Sequence, residues 1–162
     1  MPELQIRTMR PTDLSAVFAL QICAYPAEYH EPVEALASRL AAGAEFCFVA
    51  QLAGQLAGYV FAHPWVGDPP ALHVPLAPIV EPEHVFIHDL AVSPACRRAS
   101  TGKRLQAAVL ESATRRDFAD MRLVAVGAAR LFWQGMGFRD FPCAELHPAY
   151  GEAVVMGQQI RA

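Results

Sequence analysis

Apolar and polar residues alternate through Leu4-Gln5-Ile6-Arg7-Thr8-Met9, which predicts a first strand. Arg10-Pro11-Thr12-Asp13-Leu14 then supplies a helix start, with a proline and a carboxylate suited to a first turn. Val17, Leu20, Gln21 and Ala24 continue at helical spacing until Tyr25-Pro26 stops the run, because proline cannot donate the next backbone bond. A second helix is expected over about residues 32–42, with Leu36 and Leu40 inward. The apolar runs at residues 46–50 and 56–62 read as a hairpin turning through Ala53-Gly54-Gln55, and Gly58 permits a bulge or a close backbone approach.

The β-branched, apolar run from Val85 to Val92 reads as a buried central strand. It passes through Ser93-Pro94 and a basic, small-residue turn into a helix carrying Leu105, Val109, Leu110 and Ala113 on one face. A further buried strand is expected at residues 122–126, a helix at 128–138 closed by Gly137, and a last strand in the tail from Tyr150 to Ile160 that can pair back into the sheet. Residues 64–83 contain six prolines among Trp65, Leu72, Val74, Leu76 and Ile79, a pattern too apolar for a flexible linker and too broken for a strand. They predict a packed surface loop, able to wall a pocket or to form a homodimer contact.

With 162 residues, 54% of them hydrophobic, the chain can bury one good core, and a single domain over residues 1–162 is expected. A net charge of −3 argues against a nucleic-acid binder, although six basic residues between Arg97 and Arg116 make that segment locally positive. Cys23, Cys47, Cys96 and Cys143 are widely spaced, so neither a zinc cluster nor a disulfide framework is indicated and no metal is expected. The N-terminus lacks a signal pattern and no apolar run approaches the roughly 18 residues that span a bilayer, so a cytoplasmic protein without a membrane partner is expected.

The chemistry-bearing stretch is the turn between the central strand and its helix. Arg97, Arg98, Ser100, Thr101, Gly102 and Lys103 combine positive charge with little bulk before a helix N-terminus, an arrangement suited to phosphate. A P-loop is excluded, because it requires glycine where Arg97 stands and a hydroxyl where Arg104 stands. Leu90-x-Val92-x-Pro94 followed by Arg97, Thr101 and Gly102 resembles the acetyl-CoA-binding segment of the GNAT N-acetyltransferase superfamily. The opening Ile6-Arg7-x-Met9-Arg10-Pro11-x-Asp13-Leu14 and the later stretch from Ala128 to Phe138, which resembles A-x-x-L-Y-x-x-x-G-F, point to the same family. Ser100 stands where the family usually has its first glycine, and Trp133 where many members have a tyrosine near the cofactor sulfur.

That resemblance implies an α/β fold, a mixed and largely antiparallel twisted sheet of six or seven strands flanked by about four helices. It implies acetyl-CoA held by Leu90, Ala91, Val92, Arg97, Arg98, Ser100, Thr101, Gly102, Lys103 and Trp133, with a backbone N–H around residues 91–93 donating to the thioester oxygen. The loop between the first two helices would overhang the acceptor site, offering Tyr25, Glu28 and Tyr29 to a cationic amine, with Tyr150 at the mouth. Amines are largely protonated at neutral pH, so a base is needed, and Asp89 or His88 on the central strand is expected to supply it. As strand neighbours these two are expected to point to opposite faces. The implied activity is direct acetyl transfer to the primary amine of a small molecule or a peptide, or, as an alternative motivated by Ser100 and Trp133, acyl-CoA binding without turnover. Arg97-Arg98-Ala99-Ser100 also matches a short kinase-substrate pattern.

Overall fold

The computed structural model describes residues 2–77, 79, 81–143 and 145–160, the side chains of Arg98 and Ala99 excepted. Seven strands, β1 (Gln5–Thr8), β2 (Phe48–Leu52), β3 (Gln55–Trp65), β4 (His84–Val92), β5 (Asp120–Val126), β6 (Arg139–Asp140) and β7 (Ala153–Gln159), form one sheet in the order β1-β2-β3-β4-β5-β7-β6. Only β4 and β5 are parallel; every other pairing is antiparallel. Helices α1 (Leu14–Ala24) and α2 (Val33–Ala42) cover one face, α3 (Thr101–Arg115) and α4 (Ala129–Gly135) the other.

The two faces follow from strand alternation. Val60, Ala62, Val85, Ile87, Met121 and Leu123 pack with Leu105, Val109 and Trp133, whereas Val49, Tyr59, Phe61 and Ala91 pack with Leu14, Val17, Leu36 and Leu40. The expected hairpin, helices and central strand are all present, and the mixed sheet with four helices is the predicted architecture. Strand β3 runs on through Pro64, which the sequence reading ended at residue 62. Beyond Val60 it has lost its β2 partner, so the proline sits on a free edge. The two-residue β6 was not foreseen; it pairs with β7 and is too short to show any period. Among the described residues no helix is long and apolar enough to cross a membrane.

Two irregularities shape the middle of the sheet. Phe61 pairs with Asp89 and Ala62 with Ile87, so His88 is an extra residue on β4, a β-bulge. On the other side β4 pairs with β5 only over residues 85–87 against 121–123. Past that point β5 stays with β7 while β4 stays with β3, and the sheet opens into a gap. Gly58 lies opposite Val92 beside this gap; a Cβ there would stand 2.8 Å from the Ala91 carbonyl oxygen and 3.1 Å from Leu105, so the close approach of α3 to the sheet requires glycine.

Candidate active site

A cavity of about 690 Å³ fills the gap. Its walls are Ile87, His88, Asp89, Leu90 and Val92 of β4, Leu123, Val124 and Val126 of β5, Arg97 and Gly102 at the start of α3, and Phe132 and Trp133 of α4. A smaller chamber of about 60 Å³ adjoins it, lined by Tyr25, Tyr29, Glu31, Leu72, His88, Asp89, Val124, Val126 and Tyr150. Together they connect a basic, apolar trough on the α3 side with an acidic, tyrosine-lined recess on the α1–α2 side.

The backbone prepares the trough. Ser93 N–H donates to Ala57 O at 2.8 Å, so residues 93 and 91 turn their polar groups toward β3, and Leu90 and Val92 turn theirs into the gap. Of the N–H donors expected around residues 91–93, Val92 faces the gap, whereas Ala91 and Ser93 are committed to β3 and the Ala91 side chain is buried against the α1–α2 core. Thr101 also faces inward, fully buried, with its hydroxyl donating to Cys96 O at 3.1 Å, while Lys103 is exposed and outside the cavity lining. The Arg98 side chain lies outside the described residues. Trp133 is buried against Phe132 and Phe138, and Gly102 leaves room for the Phe132 ring, which a Cβ would meet at 3.0 Å.

Ser100 caps α3 in the left-handed region, at φ 57° and ψ 27°, and its side chain makes no capping bond. Backbone conformation is thus the reason a glycine suits this position, and serine holds it under strain. Ser100→Gly is expected to stabilise the fold by about 0.5–1 kcal/mol, the relief of strain exceeding the entropy glycine loses, and to lower the dissociation constant for acetyl-CoA. Thermal melts and calorimetric titration of the two proteins check both.

The bulge overturns the expectation that His88 and Asp89 face opposite ways. By inserting one residue, it brings both to the α1–α2 face. Asp89 Oδ2 accepts from the Tyr59 hydroxyl at 2.7 Å, and Tyr25, whose own hydroxyl donates to Leu90 O at 2.8 Å, leans on the same carboxylate. Burial pushes the Asp89 carboxyl up to about 6, against the pull of these tyrosines and of Arg39. His88 stacks near Phe86 and His63, with its Nδ1 3.5 Å from His63 Nε2 and its Nε2 3.7 Å from Glu31. Burial and the nearby Arg39 charge push His88 down to about 3, so it is a neutral imidazole at physiological pH.

Behind them lies a pair that sequence reasoning did not assemble. Arg39 of α2 is fully buried and holds Glu31 Oε1 at 2.9 Å. Burial acts to raise Glu31, but His88 and the Arg39 charge outweigh it and hold the carboxyl below its usual range. Glu28, by contrast, stays exposed and outside both cavities, its carbonyl engaged by the His73 ring at 2.8 Å. Tyr25 and Tyr29 do line the cavity, and Tyr150 lines the smaller chamber with its hydroxyl donating to Pro70 O at 2.7 Å. Arg39, Tyr59 and His63 carried no local signature; each sits in an ordinary amphipathic helix or strand and gains significance from what it meets across the fold.

The sheet of this α/β protein is thus splayed beside a β4 bulge, with a helix N-terminus over one half of the gap and carboxylates in the other. The chain belongs to the GNAT acetyltransferase family, whose model matches residues 14–138. Solved structures of the same fold include GphF, a GNAT-like decarboxylase in complex with isobutyryl-CoA, with a TM-score of 0.81 and 21% identity over 97% of this chain and 100% of that one. The ribosomal-protein-S18-alanine N-acetyltransferase from Escherichia coli superposes with a TM-score of 0.74 and 17% identity over 99% of this chain and 96% of that one. The loading domain of CurA from Lyngbya majuscula gives 0.78 and 15%, with 98% of each chain covered. No curated protein sequence matches the chain. The family's donor is acetyl-CoA. The residues present fit it: Leu90 and Val92 N–H groups turned into the gap, Arg97 beside the α3 N-terminus, and an apolar lining of Leu123, Val124 and Trp133.

Proposed function

We propose that the protein transfers the acetyl group of acetyl-CoA directly to a primary amine, with Asp89 receiving the proton of the amine. The observation that carries this reading is the position of Asp89: on the splayed edge of β4, held by the Tyr59 hydroxyl at 2.7 Å, and lining both the trough and the recess. Acetyl-CoA, when bound, supplies an acyl thioester whose thiolate leaves readily, since thiols ionise near about 8.5. The residues then divide the work. Arg97 and the start of α3 hold the phosphates, and the Leu90 and Val92 N–H groups favour developing negative charge on the acyl oxygen. Asp89 orients the ammonium, takes its proton, and passes it to solvent. Trp133 offers no hydroxyl to the leaving group, and none is required of it.

Fold likeness does not choose the reaction, because one neighbour of this fold is a decarboxylase. Charge does favour one. A substrate about to lose carbon dioxide presents a carboxylate beside its thioester, and the Asp89 carboxylate in the recess would repel it; an ammonium is attracted to the same place.

The reading is tested by incubating the protein with acetyl-CoA and a panel of amines while following thiol release, with thermal melts run alongside. Acetyl-CoA at about a hundred times its dissociation constant should stabilise the protein by about 2.7 kcal/mol, and thiol should appear only when an amine is present. Protection without release from any amine would instead favour a module that binds acyl-CoA without turnover.

A further inference from the structure

Three loops distant in sequence close over the recess beside Asp89. The first joins α1 to α2 and carries Tyr25, Tyr29 and Glu31; the second is the proline-rich connection between β3 and β4; the third leads from β6 to β7 and carries Tyr150. They are fastened to one another. The Tyr29 hydroxyl donates to Tyr150 O at 3.1 Å, tying the first loop to the third. The Tyr150 hydroxyl, itself buried, donates to Pro70 O at 2.7 Å, tying the third to the second. His73 closes the circuit, its N–H donating to Glu31 Oε2 at 2.7 Å and its ring meeting Glu28 O at 2.8 Å. Leu72, almost fully buried, plugs the space beneath.

Size and charge both follow from this latch. The recess holds about 60 Å³ against about 690 Å³ for the trough it adjoins, space for a small group only. An extended peptide leading its N-terminus to Asp89 between the first and third loops would meet the Tyr29–Tyr150 bond. As for charge, Glu31 is already neutralised by Arg39 at 2.9 Å, and His88 is neutral, whereas among the described residues Asp89 forms no ion pair. The recess therefore offers one unmatched negative charge, framed by the rings of Tyr25, Tyr29 and Tyr150.

We infer that the acceptor is a compact monoamine, an ammonium group on a short aliphatic body, and that peptide N-termini and long amines are shut out by the Tyr29–Tyr150–Pro70 latch. This rests on the acetyl-transfer reading above and narrows its acceptor.

The test measures kcat/KM for linear 1-aminoalkanes from methylamine to hexylamine and for an alanine tetrapeptide, with acetyl-CoA binding followed separately by calorimetry. The inference expects transfer to peak at the short amines, to fall at least roughly tenfold by hexylamine, and to be absent with the peptide. Tyr29→Phe keeps the ring and removes the bond to Tyr150, so it should raise the ratio of hexylamine to propylamine turnover. Tyr150→Phe, which frees Pro70, should do the same. A role in folding alone would lower both amines equally and leave the ratio unchanged, and that result would overturn the latch. The peptide or hexylamine proving the better wild-type substrate would overturn the inference while leaving acetyl transfer standing. Acetyl-CoA binding with no amine of any length acetylated would overturn both.

Discussion

Asp89→Asn should lower kcat/KM for the amine acceptor by a hundredfold or more, leave acetyl-CoA binding within about twofold, and yet raise the melting temperature at neutral pH. The first effect is the loss of a positioned base, commonly worth about 10²–10⁴ in rate. Binding of the cofactor is spared because, on the proposed reading, its phosphates meet Arg97 and the α3 N-terminus, which line the opposite side of the gap. Stability rises because the carboxylate is held at a cost. Its folded pKa, about 6, lies above the unfolded value of about 3.9, so stability from this group is full below pH 4 and declines as pH rises through 6. At pH 7.5 the ionised side chain works against the fold, and asparagine, still able to accept from Tyr59, removes that penalty. The gain should be about 1–2 kcal/mol, a few degrees in melting temperature, and should vanish near pH 4. The pH–rate profile gives a second check: kcat/KM in the wild type should fall as pH drops through about 6, and the residual activity of the variant should lack that limb. A variant that kept both its rate and its acid limb would remove Asp89 from the proton path.

Long periodic segments and the small basic turn before α3 were legible in the sequence because they depend on local rules. Leu105 and Val109 at helical spacing, the β-branched run into Val92, and the small basic turn at Arg97 and Gly102 carry their meaning within about fifteen residues. The orientation of the site was not legible, and one residue accounts for it. Strand alternation sends His88 and Asp89 to opposite faces unless a bulge intervenes, and a bulge is written in the pairing of β3 with β4 rather than in β4 itself. The same holds for the N–H donors: whether Leu90 or Ala91 faces the gap depends on which of them β3 engages, fixed by the bond from Ser93 N–H to Ala57 O. Glu31 and Glu28 show the limit most plainly. Both sit in the loop between α1 and α2, yet Gln21 grips the backbone of Glu31 from both sides, at 2.8 and 3.1 Å, and turns it into the protein. Glu28 has no such anchor and stays in solvent.

Arg39→Met should be the most destabilising of the substitutions considered, at about 3–5 kcal/mol, or roughly 10 °C in melting temperature. Arg39 is fully buried and Glu31 is 3% exposed, so deleting the guanidinium leaves a buried carboxylate without its counter-charge. The cost is chiefly that stranded charge rather than the attraction lost. Replacing both partners, Arg39→Met with Glu31→Leu, should therefore recover most of the loss, because two apolar side chains of similar volume leave no buried charge, only the His73 N–H without its acceptor. The pH dependence has a definite sign. Glu31 is held below its usual range in the fold, so the stability it contributes is present above its unfolded pKa of about 4.3 and lost as pH falls through the folded value. The gap between wild type and Arg39→Met should accordingly narrow in acid, where Glu31 of the variant takes up a proton. Activity reports the same charges from the other side. Arg39 lowers the Asp89 carboxyl and Glu31 raises it, so the single variant should move the acid limb of the rate profile to higher pH. In the double variant the two changes oppose one another, and the limb should return toward about 6. Equal destabilisation by the single and double variants would show that α2 is held by the Arg39 side chain's packing and not by its charge.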